Sequence, residues 1–380
     1  MTEIARVVVA GSGIVGASAA YELARRGAGV TVVLGAEQGP ATAAGAGIIC
    51  PWTGAGDGPG YRLGAAGARY YPGLIAMLAD DGETGTGYAR VGALCLGMAA
   101  RPGGPSLPEV ADQLRARSGD YPEIGDVELL GPGMPAELFP PLDAALSAVW
   151  VSGAARVDGR AIRDSLLRAA ARRGARLVPG TAALAGRRGR VTGVTVREPG
   201  GGQDAAIGAD AVLVAAGAWT ARVCAGFGPD LPISPQRGQI VHLDLPGADA
   251  AGWPVVLPGR DPYLLTFPPG RVVAGATRED AGFDYRTTAG GLGGLLSVTL
   301  AVAPGLADAS VAETRVGFRP VTGDGLPLVG WVADGLAVAA GHGPEGLTAG
   351  PWTGAAAAAL ALGEPPPADL SPFDPARSPG

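Results

Sequence analysis

The chain has 380 residues, a net charge of −6 and 17% charged residues, a length that exceeds one compact core and points to two domains or one domain with a large insertion. Its arginines are scattered rather than gathered on one face, which excludes nucleic acid as a partner, and no apolar run approaches the roughly 20 residues of a bilayer span, so no membrane association is expected. Cys50, Cys95 and Cys224 are odd in number and lack ligand spacing, which excludes a disulfide framework or a metal centre and fits a reducing, cytoplasmic compartment.

In chain order, Arg6 to Ala10 is a short apolar β-branched strand, followed by a glycine turn, a helix from Ala17 to Arg26 and the apolar run Val30 to Leu34. Strands too apolar to alternate are buried on both faces, which places them in a parallel sheet. Glycine accounts for 65 residues, so a G-x-G-x-x-G arrangement arises about twice by chance in such a chain; two occur, at Gly11, Gly13, Gly16 and at Gly341, Gly343, Gly346. The pattern therefore gains meaning only from its surroundings. In a βαβ unit, Gly11 permits the tight turn, Gly13 lets a pyrophosphate reach the backbone, and Gly16 lets helix and strand pack closely. Ile14 and Val15, within the turn, are further candidate cofactor contacts, and the helix N-terminus that follows offers free N–H groups and a partial positive charge to the anion.

Gly82 to Pro141 and Pro232 to Gly305 are rich in proline. Short runs there, Gln239 to Leu245, Tyr263 to Phe267 and Arg271 to Ala276, read as strands of an antiparallel sheet. Between them, Arg160 to Arg173 reads as an amphipathic helix closed by Gly174, Arg176 to Val178 starts a strand, and Val191 to Arg197 alternates like a hairpin. Ala211 to Ala216 is a buried run ending at Gly217 and Trp219, either a backbone surface for a ligand or simply a tight strand end. The last block repeats strand (Leu336 to Ala340), glycine turn, and alanine-rich helix (Leu347 to Leu362). From Glu364 on, proline and small polar residues suggest a disordered tail.

These segments together resemble the D-amino-acid-oxidase-like flavoproteins, which include glycine oxidase, sarcosine oxidase and D-amino-acid dehydrogenase. The likeness spans nearly the whole chain. It rests on the first glycine turn, the segment 41–47 with Thr42, Ala43, Ala46 and Gly47, the strand end at Ala216, Gly217 and Trp219, and the runs 235–239 and 273–277. It continues through Gly317-Phe318-Arg319-Pro320, residues 324–330, and Gly341-His342-Gly343 with Gly346-Leu347-Thr348. The resemblance implies an α/β fold: a Rossmann-like FAD-binding domain from residues 1–85, 150–230 and 315–366, an inserted antiparallel (α+β) substrate domain from 86–149 and 231–314, and a tail at 367–380. It also implies FAD, oxidation of the C–N bond of a small amino acid (a D-amino acid, glycine, an N-methyl or a cyclic amino acid) by hydride transfer to flavin N5, and hydrolysis of the imine. Oxygen or a quinone would take the electrons.

Within that resemblance Arg319 matches the arginine that grips the substrate carboxylate, a task suited to a planar guanidinium; an interdomain ion pair is the competing reading. Tyr263 could add a hydroxyl to the same carboxylate or serve as a core or rim tyrosine. The turn Gly341 to Gly346 would point a helix N-terminus at the flavin, with His342 offering backbone rather than acting as a base; His242 reads as structural. Where the family carries an acid for the adenosine ribose this chain has Leu34, and Glu37 arrives three residues late, in reach only if the loop bends back. Gly317 stands where sarcosine oxidases attach flavin through cysteine, so FAD is expected to be noncovalent. Two other readings stay open: a non-catalytic relative serving as a binding or partner module, and a nicotinamide-linked dehydrogenase, weakened because no second nucleotide domain is visible.

Overall fold

The computed structural model describes residues 5–54, 56–96, 105–187, 189–198, 200, 204–259 and 262–377. Its centre is a six-stranded sheet in the order Leu328–Ala333, Leu336–Ala340, Ala211–Val214, Arg6–Ala10, Gly29–Val33, Arg176–Val178. All neighbours run parallel except Leu328–Ala333, which turns back antiparallel at the edge. The apolar strands feed two cores at once. Val7, Val9, Leu213 and Ala339 face the helices Ile14–Arg25, Gly159–Arg172 and Gly346–Ala361, whereas Val8, Val212, Val214 and Val338 face a three-stranded meander carrying Val191, Val194 and Val196. Both faces are covered, which is why these strands carry no polar alternation.

The second sheet has eight strands, in the order Ser310–Thr322, Ile233–Asp244, Arg271–Gly275, Tyr263–Phe267, Val255–Leu257, Ala93–Leu96, Ala148–Val151, Val127–Leu130. Its strand pairings are antiparallel apart from Val255–Leu257 beside Ala93–Leu96. The molecule is thus a Rossmann-like parallel sheet joined to a mainly antiparallel sheet, as the sequence implied.

Several local expectations are revised. The first helix starts at Ile14, not Ala17, because Gly13 already holds an extended N-cap conformation. The strand expected from Gln239 begins at Ile233 and pairs along its whole length with Ser310–Thr322, so residues 315–322 belong to the eight-stranded sheet rather than to the parallel one. The helix Pro59–Asp80 was not legible, since four glycines and Pro72 interrupt its helical pattern. Those glycines instead allow close approach: a Cβ on Gly67 would lie 2.3 Å from the Thr348 carbonyl oxygen. Finally, the expected disordered tail is ordered as far as residue 377. Phe373 is buried beside Leu63 and Val329, Pro375 abuts Gly330, and Arg377 pairs with Asp324 at 2.8 Å. Two apolar anchors and one ion pair are enough to fix a short proline-rich segment whose composition alone reads as disorder.

Candidate active site

A cavity of about 1370 Å³ is walled by both sheets, larger than the 300–1,000 Å³ typical of small-molecule pockets and of a size for a dinucleotide with a small substrate. Gly11, Gly13, Ile14 and Val15 lie on its wall. Gly11 has φ +117°, and a Cβ there would sit 2.4 Å from the Ala215 carbonyl oxygen. The helix begins without a side-chain cap from Gly13; Thr42 supplies one instead, its Oγ1 accepting from the Ile14 N–H at 2.9 Å. Gly16 is off the wall. A Cβ there would meet the Gly11 carbonyl oxygen at 2.0 Å, so this residue serves helix–strand packing. The start of the helix is therefore an open cradle of backbone that a side chain would fill, which fits a pyrophosphate.

Leu34 and Glu37 both line the cavity. Gly35, at φ +72°, reverses the chain, and the Glu37 carboxylate folds back to accept from the Ala36 N–H at 3.0 Å. The bend that would bring the late acid toward the position of Leu34 is present. Thr42, Ala43, Ala46 and Gly47 line the adjoining wall, where a Cβ on Gly47 would strike the Val157 carbonyl oxygen. Ala216, Gly217 and Trp219 close another side, with the Trp219 ring 5.9 Å from Phe318 in an edge-on contact.

From the C-terminal turn, His342, Gly343, Gly346, Leu347 and Thr348 reach the cavity, whereas Gly341 sits behind it at φ +92°. The His342 Nε2 lies 3.0 Å from the Thr353 hydroxyl, which itself donates to the Ala349 carbonyl. Thr353 must therefore accept, and His342 carries its proton on Nε2. Burial pulls its pKa down to about 4, so the imidazole is neutral at physiological pH. His242 is buried in the strand Ile233–Asp244, off the cavity, with neither ring nitrogen hydrogen-bonded to any of the described residues; burial and then the Arg315 and Arg271 charges lower it to about 4 as well.

Arg319 and Tyr263 come to the same cavity from different strands of the eight-stranded sheet. The Arg319 guanidinium lies over Gly238, whose Cβ, if present, would be 2.5 Å from Nη1, and Nη1 donates to the Thr277 carbonyl at 3.0 Å. Among the described residues no carboxylate pairs with Arg319. A guanidinium held by one carbonyl keeps most of its donors for a ligand. The Tyr263 hydroxyl occupies the space that Gly275 leaves by lacking a side chain.

Three charged wall residues were not anticipated: Arg163, whose Nε donates to the Ser12 carbonyl at 2.9 Å, Arg278 and Glu345. Arg163 sits on the polar side of an amphipathic helix and Glu345 inside a glycine turn, places where charge is ordinarily solvated, so the sequence carried no signal for them. Cys50 and Cys95 also line the cavity. Burial raises both thiols, Cys95 to about 12, which leaves them protonated and unreactive.

A parallel sheet offering a glycine cradle, joined across one large cavity to a second sheet that presents an arginine, defines a two-sheet dinucleotide-dependent oxidoreductase. Residues 6–360 match the family described as DAO, FAD dependent oxidoreductase, and the chain belongs to that family. It is 48% identical over 374 residues to a Bacillus subtilis (strain 168) protein named "Uncharacterized oxidoreductase YurR", covering 97% of this chain and 98% of that one. The fold is similar to iminodiacetate oxidase (IdaA) from Chelativorans sp. BNC1, with a TM-score of 0.91, 46% identity and coverage of 97% and 99% of the two chains. Glycine oxidase from Geobacillus kaustophilus follows at a TM-score of 0.83, 30% identity and coverage of 99% and 100%. The enzyme is thus an FAD-dependent oxidoreductase, which sets aside the non-catalytic reading.

Proposed function

We propose that this enzyme oxidises the C–N bond of glycine or a small N-substituted glycine, with oxygen as electron acceptor. The observation that carries the reading is Arg319, a cavity-wall guanidinium with no carboxylate partner among the described residues. Similarity to proteins named glycine oxidase and iminodiacetate oxidase supports the substrate class and the use of oxygen. Bound FAD would accept a hydride from the α-carbon, and water would hydrolyse the resulting imine. This chain would position the substrate for that transfer. Arg319 would fix the substrate carboxylate through two parallel bonds and Tyr263 would add a hydroxyl, so that the α-carbon faces one direction.

For the cofactor, Gly11, Gly13, Ile14 and Val15 would hold the pyrophosphate against the helix N-terminus, and Glu37 would reach the ribose across Leu34. Thr42, Ala43, Ala46, Gly47, Ala216, Gly217 and Trp219 would line the cofactor's length. The backbone of the turn from His342 to Thr348 would stabilise negative charge on the reduced ring. Gly317 leaves no side chain to attach flavin, since a Cβ there would lie 2.6 Å from the Ala44 Cβ, so binding is expected to be noncovalent.

The test is anaerobic bleaching of the flavin spectrum with glycine, sarcosine, iminodiacetate and the D- and L-forms of alanine and proline, followed by admission of air. Bleaching by the glycine group and formation of hydrogen peroxide on reoxidation are expected. Bleaching only by chiral amino acids, or none at all, would overturn the substrate class.

A further inference from the structure

Among the described residues the cavity wall carries one acidic side chain apart from Glu37, and it belongs to the C-terminal turn. Glu345 ends the single-turn helix Gly343–Glu345 and is fixed there by its own N–H, which donates to the His342 carbonyl at 3.0 Å. Its side chain is exposed on the cavity wall. The turn packs against the strand Ser310–Thr322, which carries Arg319. A carboxylate and a guanidinium thus reach one enclosed space from adjoining elements, with no ion pair between them. An amino acid at neutral pH is a zwitterion and presents the complementary two charges.

We propose that Glu345 binds the ammonium group of the substrate and takes a proton from it. This rests on the reading of Arg319 as the carboxylate anchor. Hydride leaves the α-carbon only when the nitrogen lone pair is free to form the C=N bond, and a protonated nitrogen has no lone pair to give. Glu345 resolves this: one N–H bond breaks, an O–H bond forms on the Glu345 carboxyl, and the neutral amine is left beside the reacting carbon. With the lone pair freed in this way, the nitrogen could form the second C–N bond as the hydride leaves the α-carbon, the transfer that bound FAD would accept. The proton on Glu345 leaves to water with the product. Burial raises the pKa of this carboxyl, opposed by a hydrogen bond from Thr348 and by the Arg278 charge, which makes it a stronger proton acceptor than a surface glutamate. Among the described residues the ionisable groups that act on it are Arg278 and Cys50, with Arg319 lining the same cavity.

The experiment compares wild type, Glu345→Gln and Glu345→Asp holoenzymes, each with its FAD content measured. Two ligands are used: the glycine-type substrate that bleaches the wild type fastest, and methoxyacetate, a carboxylate with no ammonium group, whose binding is read as a perturbation of the flavin spectrum. At pH 7, Glu345→Gln is expected to lower kcat/KM for the amine at least tenfold while its Kd for methoxyacetate stays within about twofold of wild type. The loss should shrink as pH rises toward the pKa of the substrate amine, because free amine then arrives without help. Glu345→Asp, which keeps the charge, should recover part of the loss. Equal weakening toward both ligands, or an unchanged kcat/KM and pH profile in Glu345→Gln with the wild type active, overturns the role of Glu345 alone. If no amino acid bleaches the wild type, the reading of function fails, and this inference with it. If Glu345→Gln binds no FAD, Glu345→Asp decides: a wild-type acid limb left unmoved in that variant overturns the proposal.

Discussion

Among the described residues Arg319 is held by one carbonyl and a glycine platform, so removing it should cost binding without disturbing the fold. Arg319→Ala is expected to raise KM for a carboxylate substrate at least tenfold, in keeping with about 1.5–3 kcal/mol for a charge-assisted hydrogen bond, with the resting flavin spectrum unchanged. An unchanged KM would remove Arg319 from the site. At the other end of the cavity, Glu37 folds back beside Leu34. Glu37→Ala should raise the Kd for FAD about three- to tenfold, the loss of one ordinary to strong hydrogen bond, and Leu34→Glu in that background should restore affinity. Titration of apoprotein with FAD, followed by fluorescence quenching, measures both. These residues show how unequally a site is written in sequence. Arg319 stood in a recognisable run, and the doubt over Leu34 pointed at Glu37. Glu345 gave no sign, because nothing in a glycine-rich turn says which way its side chain will face.

At the level of elements, the cavity depends on how closely helices approach one another. The helix Pro59–Asp80 lies against the helix Gly346–Ala361, and Gly67 brings it within contact of the Thr348 carbonyl at the very start of the latter. Gly67→Ala places a Cβ 2.3 Å from that oxygen, where backbone rather than a flexible side chain must give way. Overpacking of this kind costs about 1–3 kcal/mol, and here it should also push Thr348 and the turn before it toward the cavity. Lower Tm together with reduced FAD content is the expected result; Gly73→Ala on the same helix, where a Cβ meets nothing within 4 Å, should raise or preserve Tm. The same contacts explain why this helix escaped the sequence. Glycine and proline argue against helix locally, yet Gly64 and Gly67 stand where a side chain would meet Pro51 and the Thr348 backbone.

For the molecule as a whole, the two buried histidines set the response to acid. His242 and His342 each have a folded pKa of about 4, below the unfolded value of about 6.5, so the unfolded chain binds more protons between those limits. Stability is therefore fully present above about pH 6.5 and falls as pH drops through that window. Glu83 adds a second decline lower down. Held to about 2 by Arg168, then Arg172, against an unfolded value near 4.3, it contributes stability that is present above about pH 4.3 and lost as pH falls toward 2, an effect moderated by solvent because both arginines are about half exposed. Thermal unfolding across pH 7.5 to 4.5 should show the first decline. His242→Leu, which removes two unpartnered buried nitrogens without touching the cavity, should flatten it, with Tm above wild type at pH 5 by a few degrees. A wild-type Tm independent of pH over this range would contradict the assignment.

The strand-turn-helix at Arg6–Arg25, its C-terminal counterpart and the mainly antiparallel second sheet followed from the sequence alone. Their determinants are local: apolar strands covered on both faces, glycines where positive φ or backbone contact is required, and turn residues between them. Tertiary structure decided the rest. It brought Gly11, Thr42, Arg319 and Glu345, separated by up to 334 positions, around one cavity, bent Glu37 back toward Leu34, and pinned the tail through Phe373 and Arg377. Such features depend on which distant surface a residue meets, and pairing across hundreds of residues leaves no periodicity in a single chain from which it could be read.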